Sequence, residues 1–230
     1  MMSFKDLNNL KLSFLLLIFF LYASDYIFSQ DLSEHKSQIK LTPIKIINLL
    51  NPGFELSYER VHNGNFSTQV SVAYLVDCLR ATPYEDYSGY RIMLEEKRFH
   101  FKRKSHRHYF SLEIGYYTAN MINSAHFVPQ GIEWGDDLYY ESLYEDIFSL
   151  KRTGTIINAK YGIQVIIKHF TIDFSAGLGV IIHNITHSNR LNPNDEMDSP
   201  RHPNVYHMME YEGKHSMPNL PLTLKLGYVF

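Results

Sequence analysis

From Phe54 onward apolar residues recur at every second position, and this repeat limits the fold more than any other feature. In GFELSYER, Phe54, Leu56 and Tyr58 alternate with Glu55, Ser57 and Glu59. FSTQVSVAY, YFSLEIGYY, IINAKYGIQVIIK, TIDFSAGLGVII and LPLTLKLGYVF repeat the pattern. Successive side chains of a strand point to opposite faces, so the repeat marks strands with one apolar and one polar face. In this part of the chain no segment of comparable length carries a helical period. Two segments are less regular. IKLTPIKII changes phase at Pro43, which predicts a bulge. GYRIMLEEKRFHF alternates through Tyr90, Ile92 and Leu94 and loses the pattern at Glu96, so its register is open from there.

The pattern predicts eight strands, over approximately 39–47, 53–61, 65–76, 89–101, 108–121, 153–168, 170–186 and 218–230. Short connections (HNGN, KRKSHR, KH) alternate with long ones; HNGN carries the Asn-Gly signal of a tight hairpin. A compact soluble domain seldom holds two structureless loops of about 30 residues. A transmembrane barrel does so as a rule. The predicted fold class is therefore all-β: a closed eight-stranded antiparallel transmembrane β-barrel with short periplasmic turns and long extracellular loops. An even strand number puts both barrel ends at the periplasmic rim, where the short turns also fall.

The N-terminal segment KLSFLLLIFFLYASDYIFSQ fits this location. Lys5 and Lys11 precede an apolar run from Phe14 to Ala23. That run has the length of a signal-peptide core and falls short of the roughly 20 residues needed to span as a helix. Residues 1–30 are read as a cleaved signal peptide and residues 31–230 as the barrel domain, exported to the cell outer membrane. The formal net charge of -2 and the lack of a phosphate-neutralising basic run exclude a nucleic-acid partner. The single cysteine, Cys78, excludes an internal disulfide and a cysteine-rich zinc site.

The two faces then acquire roles. Glu55, Glu59, Arg91, Glu113, Lys160, Asp173 and Lys225 lie opposite the apolar set, and Lys97 joins them if the fourth strand keeps its phase. An eight-stranded barrel is just wide enough to be filled by its own side chains. Ser and Gly on the same face suit a crowded interior. Charges in such a lumen must be paired, so an internal salt-bridge network is expected, structural rather than ion-conducting. The apolar face ends in aromatics: Phe66, Phe110, Phe170, Tyr228 and Phe230 toward one rim, Tyr74, Tyr90 and Tyr116 toward the other. Bilayer interfaces select two such girdles. Phe230 is read as a buried terminus of the last strand.

GFELSYER after an Ile/Lys/Pro opening strand, then GYRI, then the terminal LPLTLKLGYVF, resemble the small eight-stranded outer-membrane β-barrels of Gram-negative bacteria. These are the OmpA/OmpX-like barrels, including barrel families of unknown function. The resemblance implies outer-membrane lipid and the barrel-assembly machinery as partners, with Tyr228 and Phe230 as the assembly signal. It bears on fold and location more than on activity; the chain as a whole is read as a monomer with a structural or surface-interaction role and no catalysis. Some relatives of this type are lipid A deacylases with a His/Ser/acid site, so His187-Ser188 is an alternative catalytic pair, here adjacent and without an evident acid. A soluble lipocalin-like carrier is a further alternative; it would bury the apolar set and expose Lys225 and Glu113.

Histidine is the one enriched type with chemical potential, with 12 in the chain. His183, His187, His202, His207 and His215 share a segment with Asp195, Glu196, Asp198, Glu210 and Glu212, at spacings that match no metal motif. No cofactor or metal is expected. The stretch GIEWGDDLYYESLYEDIF is acidic and aromatic and suits a short helix or strand extensions. Arg98, Lys102, Arg103, Lys104 and Arg107 make a basic turn at the short-turn rim, suited to anionic headgroups or to solvent.

Overall fold

The computed structural model describes residues 37–43, 51–62, 65–77, 82, 84–102, 106–132, 136, 138–167, 169–198 and 209–230. The predicted signal peptide, Cys78, His202 and His207 lie outside these residues. Strands run as β1 (Ser37–Leu41), β2 (Gly53–His62), β3 (Phe66–Val76), β4 (Glu85–Lys102) and β5 (His106–Val128). One helical turn, α1 (Tyr139–Ser142), follows. Then come β6 (Tyr144–Ile167), β7 (Phe170–Ser188), β8 (Glu196–Met197), β9 (Gly213–Asn219) and β10 (Leu222–Val229).

Each of β1 to β6 pairs antiparallel with the next, and β10 pairs with both β7 and β1. The ladder therefore forms a ring of eight strands. β9 continues the line of β10 along β7. Pro221 stands between the two, where a residue without an N–H would interrupt a ladder, while its carbonyl still accepts from Gly177 N (3.0 Å). The last predicted strand is thus two strands. At one end of the ring lie the short β2–β3, β4–β5 and β6–β7 connections together with Ser37 and Phe230, whose backbones exchange hydrogen bonds of 3.0 and 3.2 Å.

The first strand is shorter than expected: it ends at Leu41, Thr42 is buried, and residues 44–50 lie outside the described set. β4 keeps its register through Glu96, with irregularities only between Glu85 and Ser88 and between Phe99 and Phe101. Glu95, Lys97 and Phe99 point inward; Glu96, Arg98 and His100 point outward. The stretch 122–152 is no long loop. β5 and β6 pair from Phe127↔Tyr144 downward, so most of it is strand, with α1 in the connection.

Burial alternates along every strand, but its chemistry inverts partway up. In the half nearer the short turns, charged and small polar residues face in, joined by Val61, Phe99, Tyr109 and Val229, and most of the Leu, Ile, Phe and Tyr residues face out. In the other half the interior is apolar: Leu75, Tyr84, Tyr87, Met93, Tyr117, Met121, Phe127, Phe148, Leu150, Ile156, Ile181 and Ile185 form one cluster. Outward positions there turn polar, as with Asn120, Ser124, Lys151, Thr153, Asn184 and Thr186. The expected polar interior is therefore half of the interior. Arg152 is buried within the apolar cluster, its guanidinium carbon 5.7 Å from the centre of the Tyr84 ring.

Interior glycines make room for large neighbours across the ladder. Tyr109 lies opposite Gly162, and a Cβ on Gly162 would stand 2.3 Å from its Cζ. Tyr117 lies in the same way over Gly154, at 2.6 Å. Stacking an aromatic ring over a strand glycine fills the gap its missing side chain leaves.

Candidate functional site

The ring interior nearer the short turns is the most highly charged enclosed volume among the described residues. Its first layer is built on Glu59 of β2 and Asp173 of β7. Lys40 of β1 pairs with both carboxylates. Lys97 of β4 does the same, at 2.8 Å to Glu59 and 2.7 Å to Asp173. The Tyr109 hydroxyl donates to the second Asp173 oxygen (2.6 Å), and the Lys97 ammonium stands 4.6 Å from the Tyr109 ring centre. Arg107 reaches Glu59 at 3.9 Å, packs over Phe99 at 4.2 Å and donates to Gln164.

A second layer lies above it. Lys160 pairs with Glu113 (2.7 Å) and Glu95 (2.9 Å). Asn158 donates to Glu113 and Ser111 to Glu95, each at 2.7 Å. Arg91 pairs with Glu55 at 2.7 Å, and Thr42 donates to the other Glu55 oxygen at 2.8 Å. Lys225 lies 3.6 Å from Glu55 and 3.9 Å from Glu95. Burial of this kind requires such saturation, because an unpaired charge away from water costs several kcal/mol.

Glu55, Glu59, Arg91, Glu113, Lys160, Asp173 and Lys225 all lie in this interior, Glu59 and Asp173 in the first layer and the other five in the second. Lys40, Glu95 and Arg107 belong to it as well. Lys40 escapes a reading of sequence because its strand has only five residues. Glu95 is hidden by the outward Glu96 beside it; carrying the phase of Tyr90, Ile92 and Leu94 forward would have placed it inside.

The aromatic residues stand on the outward face. Tyr74 and Tyr90 are register partners, and Tyr116 lies one row away opposite Ile92. Phe170 and Tyr228 are partners near the short-turn end, with ring centres 5.8 Å apart. Phe66 and Phe110 flank Arg98. Phe230 is 62% exposed, not buried, because it shares the outward phase of Leu226 and Tyr228.

His187 and Ser188 are successive residues of β7 and so face opposite sides of the sheet. His187 shares a hydrogen bond through Nε2 with the Glu210 carbonyl (2.7 Å), and its ring packs on Phe148 at 4.5 Å. The Ser188 hydroxyl donates to the Ser149 carbonyl at 3.5 Å. His187 and Ser188 are thus directed to different partners and do not form a nucleophile–base pair with each other. His183 is buried inside the ring, 5.9 Å between ring centres from His215. No group of three or more metal-ligating side chains occurs among the described residues.

No family model matches this chain, and no curated protein does. Among solved structures it is similar to a major outer membrane protein from Thermus thermophilus, with a TM-score of 0.37 and 10% identity, over 86% of this chain and 100% of that one.

At the end away from the short turns the segments interlock. β8 pairs with β5 at Phe127↔Met197 and Val128↔Glu196. The Tyr139 hydroxyl donates to Asp198 (2.6 Å) and the Tyr144 hydroxyl to Asp195 (2.7 Å), the latter holding the Asp195 carboxyl below its ordinary range. Met209 and Glu210 are buried against this end. Burial of His187 pushes its imidazole below the ordinary histidine value. The folded state therefore favours the neutral ring. Its contribution is fully present above the ordinary histidine range and is lost as pH falls through the depressed value. Protection of the amides over 209–212 from hydrogen exchange, measured relative to the intrinsic rate at each pH, should fall on acidification into that window, and His187→Phe should remove the pH step.

Proposed function

We propose that this protein is an integral outer-membrane β-barrel with a side-chain-filled lumen, acting as a structural or surface-interaction element and not as a catalyst. What supports this reading is the sidedness of the ring. Lys225 and Glu113 are 4% and 8% exposed, whereas Leu222 and Leu226 on the opposite face are 52% and 47% exposed. A soluble carrier needs the reverse arrangement. In hydrocarbon only helices and closed barrels satisfy every backbone group, and a tilted spanning strand needs about 9–11 residues. Outward apolar residues alternate from Ile157 to Ile167 on β6 and from Phe170 to Ile182 on β7, long enough for that span.

The inversion on the upper strands supports the same placement. Where the outward face turns polar and the interior apolar, the ring follows the rule of a water-soluble sheet. On this reading the upper half stands outside the bilayer, capped by the interlocked β8 and 209–212 segments, and presents the interaction surface. The interior carboxylates and cations are mutually engaged and play a structural part. The barrel-assembly machinery and outer-membrane lipid are the partners the reading implies.

Outer membranes from cells expressing the full chain should retain it. On a detergent gel it should migrate differently before and after boiling, as a closed barrel does when it unfolds. A soluble protein without a heat-dependent shift would overturn the lipid-facing assignment of Leu222, Leu224 and Leu226.

A further inference from the structure

On the outward wall a concavity of about 650 Å³ runs across β5, β6 and β7. Its floor is Ala159 and Ala176, and its walls are Phe110, Leu112, Tyr161 and Leu178. The depth arises from small side chains set among large ones on one face: Leu112 is opposite Ala159, and Tyr161 is opposite Ala176. The volume falls in the range of about 300–1,000 Å³ that ordinary ligand sites occupy. A lipid-facing wall needs no such recess to be solvated by chains in general.

One end of the recess is polar. Arg98 and Glu96 line it there, and the Arg98 guanidinium lies 5.9 Å from the Phe66 ring. Glu96 accepts a hydrogen bond from the Thr68 hydroxyl at 2.7 Å. Beside Arg98, toward the short turns, His100 stacks on Phe110 at 5.0 Å and stands 6.2 Å from His108. His108 shares a 2.7 Å hydrogen bond with the Tyr161 hydroxyl, the same Tyr161 that walls the recess. Arg98 brings a guanidinium to the lining itself, and His100 and His108 stand just outside it, against its Phe110 and Tyr161 walls. Arginine offers a planar fork matched to phosphate oxygens.

We infer that this recess is a binding site for one anionic glycerophospholipid, with an acyl chain over Ala159 and Ala176 and its phosphate at Arg98, His100 and His108. The argument for that occupant is charge complementarity at the polar end joined to apolar complementarity along the slot. The inference rests on the outer-membrane reading above, which places the short-turn rim in the inner, phospholipid leaflet.

The test uses the full chain folded in nanodiscs of equal parts phosphatidylglycerol and phosphatidylcholine, extracted gently and weighed intact with its retained lipids. Phosphatidylglycerol should be retained over phosphatidylcholine, and Arg98→Ala should cut that preference roughly fivefold, the effect of one basic side chain near a headgroup. Ala159→Leu with Ala176→Leu should lower retention of both lipids by filling the slot. The heat-dependent gel shift is read on the same samples. Equal retention of both lipids by a protein that still shifts would overturn the site and leave the barrel standing. So would a preference indifferent to Arg98, or lipid displaced by a second copy of the chain in a stable dimer. Failure to enter nanodiscs or to shift would overturn the outer-membrane reading itself.

Discussion

Asp173→Ala should be among the most destabilising single substitutions in this ring, costing about 3–5 kcal/mol, the range for removing one partner of a buried ion pair. Asp173 receives Lys40 and Lys97 on one oxygen and the Tyr109 hydroxyl on the other. Without it, two buried ammonium groups share Glu59 as their one remaining carboxylate, with Gln69 as a further acceptor for Lys97, and the Tyr109 hydroxyl loses its acceptor. The measurement is the urea midpoint for unfolding of protein refolded into lipid vesicles. Asp173→Asn keeps the shape and the acceptor but loses the charge, so it should fall between Ala and wild type. Lys97→Met combined with Asp173→Leu should recover part of the loss, because residues of one network do not act additively. A wild-type midpoint for both Asp173→Ala and Asp173→Asn would show that the layer contributes nothing to stability.

Gly162→Val should be a damaging steric change, with a loss of about 1–3 kcal/mol or more from overpacking. The added Cβ would stand 2.3 Å from Tyr109 Cζ and 2.5 Å from its hydroxyl. That ring has little freedom to withdraw. Its hydroxyl is tied to Asp173, Phe99 packs against it edge-on at 5.8 Å, and Lys97 lies over its face. Moving Tyr109 would therefore disturb the ion-pair layer as well. Gly162→Val should lower the fraction that refolds to the heat-shifting form. The loss should be smaller when Tyr109→Ala is also present, since the collision partner is then gone. Equal damage with and without Tyr109 would assign the effect to the backbone and not to the ring.

Much of the lower half of the ring is legible in the sequence because only there do the two faces differ sharply in chemistry. Leu224 beside Lys225, or Ile172 beside Asp173, declares both the strand and the direction each side chain takes. Higher up the contrast fades and then inverts. Ile156 and Ile157 lie on opposite faces, as do Ile181 and Ile182. Two neighbouring isoleucines give no period. For the same reason the upper parts of β5 and β6 resemble loop in sequence: Asn123 and Phe127 point in while Ile122 and His126 point out. The split at Pro221 and the continuous register past Glu96 depend on pairing with neighbouring strands, which local pattern does not encode.

By itself the sequence determined that this chain is a set of two-faced strands, and that Glu55, Glu59, Arg91, Glu113, Lys160, Asp173 and Lys225 of the lower half share the charged face, because a period of two is a property of the backbone alone. Only the tertiary structure decided which charges meet. Lys40 and Asp173 are 133 positions apart and come together through the ring closed by β10. Pairing of that range is set by strand order and register, and a one-residue slip would carry each charge to the opposite face. Strand pairing likewise decided that the upper interior is apolar, and that Ala159 and Ala176 sit together as the floor of one recess.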